Sequence, residues 1–182
     1  MSGAALAAPV TAPERAQPMA RAPVLVVYAA ALLQGMTLVS FPAVSAVLKQ
    51  ALALSDADYG AIFLPQVALA IIGGIAAGAL ARRIGLKALL LAALAANGAS
   101  QALLASAAFV PPAGGFTTLL AGTACLGFGF GLIGAPINAY PGLLFPKRAE
   151  TAIVAAHTLI GLGLALGPLV AAPLVAAAMW FG

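Results

Sequence analysis

The chain has 182 residues, 64% of them hydrophobic and 7% charged, with a formal net charge of +4. A soluble domain carries about 25% charged residues, so this composition cannot cover a water-exposed surface and excludes a soluble globular enzyme. The positive charge would point to nucleic acid in a soluble protein. Here it falls between long apolar runs, so it reads as membrane orientation and no nucleic-acid partner is expected.

Residues 1–22 are rich in Ala and Pro, carry Glu14, Arg15 and Arg21, and read as a disordered tail. The short run Ala4–Val10 precedes these charges, the reverse of a signal peptide. The first predicted span covers about 24–48 and ends at Lys49 and Gln50. Ser55 with Asp58 three residues on resembles a helix N-cap with an acidic first turn. The second span follows over about 59–81 and breaks at Arg82-Arg83-Ile84-Gly85-Leu86-Lys87. A third, about 88–110, ends in the turn signal Pro111-Pro112-Ala113-Gly114-Gly115. The fourth, about 116–144, contains Pro136 and Pro141. The fifth, about 151–179, follows Lys147-Arg148-Ala149-Glu150 and ends at Trp180 and Phe181, an interfacial aromatic anchor. Each run is long enough to cross roughly 30 Å of hydrocarbon. The predicted fold class is all-α, a polytopic membrane bundle of five transmembrane helices over residues 23–182.

Five spans put Arg15, Arg21, Arg82, Arg83, Lys87, Lys147 and Arg148 on one side and Lys49 alone on the other. Positive residues collect on the cytoplasmic side. The N-terminus is therefore expected inside and the C-terminus outside, in a bacterial-type cytoplasmic (inner) membrane. No Asp, Glu, Lys or Arg lies within a span core, which leaves no carboxylate proton relay. Cys125 is the single cysteine and reads as a small packing residue.

Membrane helices associate where small residues let backbones approach. Gly74 and Gly78 in the second span, and Gly163 and Gly167 in the fifth, have the GxxxG spacing. Gly127, Gly129, Gly131 and Gly134 alternate and so ring the fourth helix. The loop after the second span reads Gly78-Ala79-Leu80-Ala81-Arg82-Arg83-Ile84-Gly85-Leu86-Lys87. Its bases are placed to bond the last carbonyls of that span and to suit its negative dipole end.

This loop resembles the signature of the major facilitator superfamily, Gly-x-Leu-Ala-Asp-Arg-x-Gly-Arg-Lys between helices two and three. Gly78, Leu80, Ala81, Arg83, Gly85 and Lys87 match, while Arg82 stands where the family has the acid that latches two transporter halves. Gly163-x-x-x-Gly167-Pro168 is similar to the family's antiporter motif, whose closing glycines are replaced by Ala171-Ala172. The stretch Gly127 to Pro168, with Asn138 and His157, also looks like the fucose-permease branch, without that branch's acids in helices one and four. The resemblance extends from about Val24 onward. It implies secondary active transport of a small organic solute by alternating access, with this chain as a half or fragment of a twelve-helix transporter. A second half carrying the remaining helices, or another copy of the chain, is then expected as partner. A non-transporting membrane scaffold or assembly protein is the alternative.

The resemblance also implies that helices one and four line the cavity, with two and five beside them. Gln34, Thr37, Phe41 and Ser45 share one face of helix one. That face looks inward, because an unpaired Gln facing lipid is costly; Gln34 then meets solute or a neighbouring helix. Asn138 lies between Pro136 and Pro141, where it meets solute or satisfies carbonyls freed by a kink. His157 is the single histidine, able to bind solute, to carry a proton or to serve as a structural hydrogen-bonding group. Gln66 is a further solute candidate, and Asn97 and Gln101 read as packing contacts. No metal cluster, nucleophile–base pair or phosphate loop appears, so neither an enzyme nor a cofactor is expected.

Overall fold

A computed structural model describes residues 21–181. The predicted tail apart from Arg21 and Ala22, and the side chains of Trp180 and Phe181, lie outside the described residues. The order is α1 (Arg21–Leu38), α2 (Ser40–Ala43), α3 (Ser45–Ala51), α4 (Asp56–Ala61), α5 (Leu64–Ser106), α6 (Pro112–Leu144) and α7 (Ala149–Phe181). No strand occurs among the described residues.

The first predicted span is not one straight helix. It begins at Arg21, inside the segment read as tail, and breaks at Val39 and Val44, where ψ is 2° and 15°. Pro42 is the cause: it has no N–H for the Leu38 carbonyl, and its ring crowds that turn. Hydroxyls fold back onto the same turns, Thr37 Oγ1 donating to the Gln34 carbonyl (3.0 Å) and Ser40 Oγ to the Thr37 carbonyl (2.8 Å). Helix formation resumes as far as Ala51. The expected cap then appears as a full capping box. The Asp58 N–H donates to Ser55 Oγ at 3.1 Å, and the Ser55 N–H donates to Asp58 Oδ2 at 3.2 Å. Beside it Lys49 pairs with Asp56 at 2.6 Å, and that hydrogen bond, reinforced by the ammonium charge, holds the Asp56 carboxyl below its ordinary value.

Four helical stretches are long and apolar enough to cross a bilayer. The second runs from Asp56 to Ser106 and is long enough for two crossings. Its main helix α5 has 43 residues and would extend about 64 Å if straight, twice the hydrocarbon thickness. Gly85, at φ 81° and ψ 159°, breaks it into two arms, 64–84 and 86–106. Contacts on α6 show that the arms fold back on one another. A methyl added to Gly127 would strike the Gln66 carbonyl, and one added to Gly129 would stand 2.5 Å from Asn97 Oδ1. Gln66 and Asn97 would be about 46 Å apart on a straight helix, yet they reach neighbouring positions on α6. The backbone at Gly85 lies in a region open essentially to glycine alone. Gly85→Ala should therefore cost about 1–3 kcal/mol, read as a lower unfolding midpoint of the detergent-solubilised protein.

The alternating glycines of α6 thus serve two neighbours. Gly127 and Gly131 face the first arm, and Gly129 faces the second. On the first arm, however, the residue in contact is Gly73. A methyl on Gly73 would lie 2.8 Å from the Phe128 carbonyl, whereas one on Gly74 would meet nothing within 4 Å and one on Gly78 only Arg82 Nη1, at 4.0 Å. The Gly74/Gly78 stripe is therefore unused inside this bundle. Gly163 and Gly167 do pack, against Leu32 and Gly35 and against Val39 and Met36 of the first span.

The two crossings repeat each other residue by residue. Gly131 sits between Ala70 and Gly74, three before and one after Gly73; Gly35 sits between Ile160 and Leu164, three before and one after Gly163. In return Gly73 touches Phe128 and Leu132, and Gly163 touches Leu32 and Met36. Helix α1 therefore corresponds to α6, and α7 to the first arm, as in a bundle built from two structural repeats.

Candidate functional site

The sequence-predicted polar residues fall into two groups. The first is buried. Gln34 is fully buried on α1, and Asn97 Nδ2 donates to its Oε1 at 2.6 Å from the second arm of α5. One turn outward Gln101 Nε2 donates to Ser40 Oγ at 3.0 Å. Phe41 is also fully buried, and a methyl on Gly122 would lie 3.0 Å from its ring. The face carrying Gln34 therefore looks toward neighbouring helices. Thr37 is half-buried and spends its hydroxyl on its own helix. Gln66 is half-buried beside Gly127, and its Oε1 has no hydrogen-bond partner.

The Gln34–Asn97 pair ties α1 to the second arm, and Gly129 makes room for the Asn97 carbonyl group. Gln34 Nε2 and Asn97 Oδ1 have no other protein partner. Asn97→Leu should cost about 1–3 kcal/mol, because it strands the Gln34 carboxamide in a water-poor interior. The Gln34→Leu/Asn97→Leu double variant should recover part of that loss. A double-mutant cycle on the denaturation midpoint should give a coupling of roughly 0.6–1.7 kcal/mol, the range for polar contacts between membrane helices.

The second group is open. Asn138 on α6 and His157 on α7 are both exposed, and His157 Nε2 lies 3.1 Å from Asn138 Oδ1. Asn138 Nδ2 donates to the Gly134 carbonyl at 2.7 Å. The prolines leave different carbonyls without a donor: Pro136 deprives Leu132 and Pro141 deprives Ile137. The Asn138 side chain does not bond the carbonyls those prolines free. Its second polar atom is directed across the helix boundary to the single histidine. An ionisable side chain exposed to hydrocarbon is costly, and such residues usually face a bundle interior or water-filled path.

The clefts at the basic end lie elsewhere. One of about 370 Å³ is lined by Arg21, Val24, Leu25, Tyr28 and Phe145, and one of about 240 Å³ by Tyr28, Phe145, Arg148, Thr151, Ala152 and Ala155. Tyr28 organises that end, donating to the Ala152 carbonyl at 3.0 Å and stacking at a tilt on Phe145. These are open surface grooves, and the Asn138–His157 pair is not among their lining residues.

The signature loop lies at the same end. Arg82, Arg83 and Lys87 are exposed, and among the described residues none of them bonds the carbonyls at the end of the first arm. The expectation that they would do so is corrected: the backbone turns sharply at Gly85, and the three basic side chains stay exposed around that turn. Arg82 instead lies over Gly78.

A family model for the Major Facilitator Superfamily matches residues 24–182. The chain belongs to the major facilitator superfamily. No curated protein and no solved structure matches it. The match is to the superfamily as a whole and does not extend to the fucose-permease branch. This is a family of transporters, and the protein is a multi-pass membrane protein. Among the described residues no group of His, Cys, Asp or Glu could hold a metal ion.

The facilitator assignment gives the open face of α6 and α7 its meaning. In such transporters the solute lies between two sets of helices, near the membrane midplane. Sequence reasoning chose Asn138 and His157 separately and did not pair them. The packing role of Gly73 is hidden by the GxxxG spacing of its neighbour Gly74, and the ring of α6 glycines does not reveal that Gly129 is the one facing Asn97.

Proposed function

We propose that this chain forms one wall of a secondary transporter that moves a small organic solute by alternating access. The Asn138–His157 pair is the polar element that meets the solute. The observation that carries this reading is the exposed contact between the single histidine and an asparagine of the cavity-lining helix. Positive-inside orientation puts the end bearing Arg21, Arg82, Arg83, Lys87, Lys147 and Arg148 in the cytoplasm, and Lys49 outside.

Further helices complete the path, supplied by additional chain, a second half or another copy. The internal repeat supports a position for the nearest of them. The second arm of α5 covers α6 at Gly129; the equivalent position on α1 is Leu33, which is 51% exposed. A sixth helix laid along that face completes the repeat.

The substitution of Arg82 for the loop acid favours the alternative of a non-transporting scaffold, since it removes the usual latch between halves. Two measurements separate the readings. A transporter should be thermally stabilised by some member of a broad solute panel and should take that solute up into vesicles when the remaining helices are present. Absence of both responses across the panel refutes transport.

A further inference from the structure

We infer that Asn138 holds His157 in its Nε2–H tautomer and leaves Nδ1 as a hydrogen-bond acceptor turned to the solute path, so that the site takes a neutral solute bearing O–H or N–H donors. This rests on the transport reading above for the word solute; the tautomer does not.

The chain of constraint starts at a backbone carbonyl. The Gly134 oxygen can only accept, so the Asn138 atom 2.7 Å from it is the amide nitrogen. The other amide atom, 3.1 Å from the ring, is therefore the carbonyl oxygen. That oxygen also only accepts, so His157 Nε2 carries the proton. When the ring is neutral it has one ring proton, and Nδ1 is then left with a free lone pair. No described residue bonds Nδ1. Beside the pair the surface is open, because a methyl on Gly134 would meet nothing within 4 Å.

A lone pair fixed in this way selects by chemistry. It accepts from a hydroxyl or an amide N–H, and it opposes a carboxylate, which offers only acceptors. Asn138 is a positioning residue here: its reach to the Gly134 carbonyl sets the orientation of the ring's hydrogen bond.

The test uses nitrogen-15 NMR on the full chain, labelled at its one histidine and reconstituted with its completing helices in lipid nanodiscs. The spectrum should show a protonated Nε2 and an unprotonated Nδ1. Asn138→Leu should release the ring into a mixture of both tautomers. Glycerol, pentoses and hexoses, added in turn, should include at least one that shifts Nδ1, whereas acetate and lactate should not. A protonated Nδ1, an unchanged tautomer in Asn138→Leu, a shift with the carboxylates alone, or no shift with any probe overturns the proposal. Solute uptake by a protein with the opposite tautomer would leave transport standing and sink only this inference. The expected tautomer in a protein without uptake would sink the transport reading and leave only the tautomer standing.

Discussion

Gly131→Ala and Gly127→Ala should each destabilise the bundle by about 1–3 kcal/mol, the range for overpacking a filled interior, while Gly74→Ala should be neutral or stabilising. The new methyl at 131 would meet Gly74 N at 2.6 Å and the Ala70 carbonyl, and the one at 127 would meet the backbone of Gln66. Backbone atoms cannot rotate away as a side chain can, so the helices must separate. Separation also draws Gly129 off Asn97, which loosens the second arm as well. Gly74 is a mid-helix glycine with open space around it, where alanine gains about 0.5–1 kcal/mol in helix preference. Unfolding midpoints in mild detergent, measured on three single variants, give opposite signs if the packing described is right. A drop of equal size in Gly74→Ala would show that the unused stripe packs after all.

His157→Leu should reduce uptake at least about tenfold, equivalent to roughly 1.4 kcal/mol, without lowering the unfolding midpoint. The ring is exposed, so its loss leaves no buried cavity. Its one hydrogen bond among the described residues is to Asn138, which keeps its bond to the Gly134 carbonyl. Asn138→Leu should reduce uptake through the same pair. The measurement is initial uptake rate into vesicles at matched protein content. A purely structural histidine would instead lower the midpoint and the amount of protein together.

Much of this architecture is legible in the sequence because its signals are local. The Ser55–Asp58 capping box needs only three residues' separation, and the fold shows both of its hydrogen bonds. Gly85 between bases marks a turn, and the backbone there has the positive φ that glycine permits. The break at Val39 to Val44 is harder to see although Pro42 announces it, because an apolar run on both sides masks a kink. Glycine contacts were harder for a physical reason. In lipid both faces of a helix are apolar, so hydrophobic periodicity cannot say which of Gly73 and Gly74 is inside. Pairings across more than sixty positions, such as Asn97 with Gln34, have no local signature at all.

A solute path along α6 and α7 requires that the face bearing His157 be wet. In a Cys125→Ser background, Asn138→Cys and His157→Cys should react with a membrane-impermeant thiol reagent in the assembled transporter, and a transported solute should slow the reaction. Leu91→Cys is the control: it is 56% exposed on the second arm, opposite the packed Leu89, Ala93 and Asn97, and should be shielded by lipid. Reactive cysteines at 138 and 157 with a silent 91 are the result expected. Unreactive cysteines at 138 and 157, with or without solute, would mean that the pair faces lipid or protein and that the wall of the path lies elsewhere.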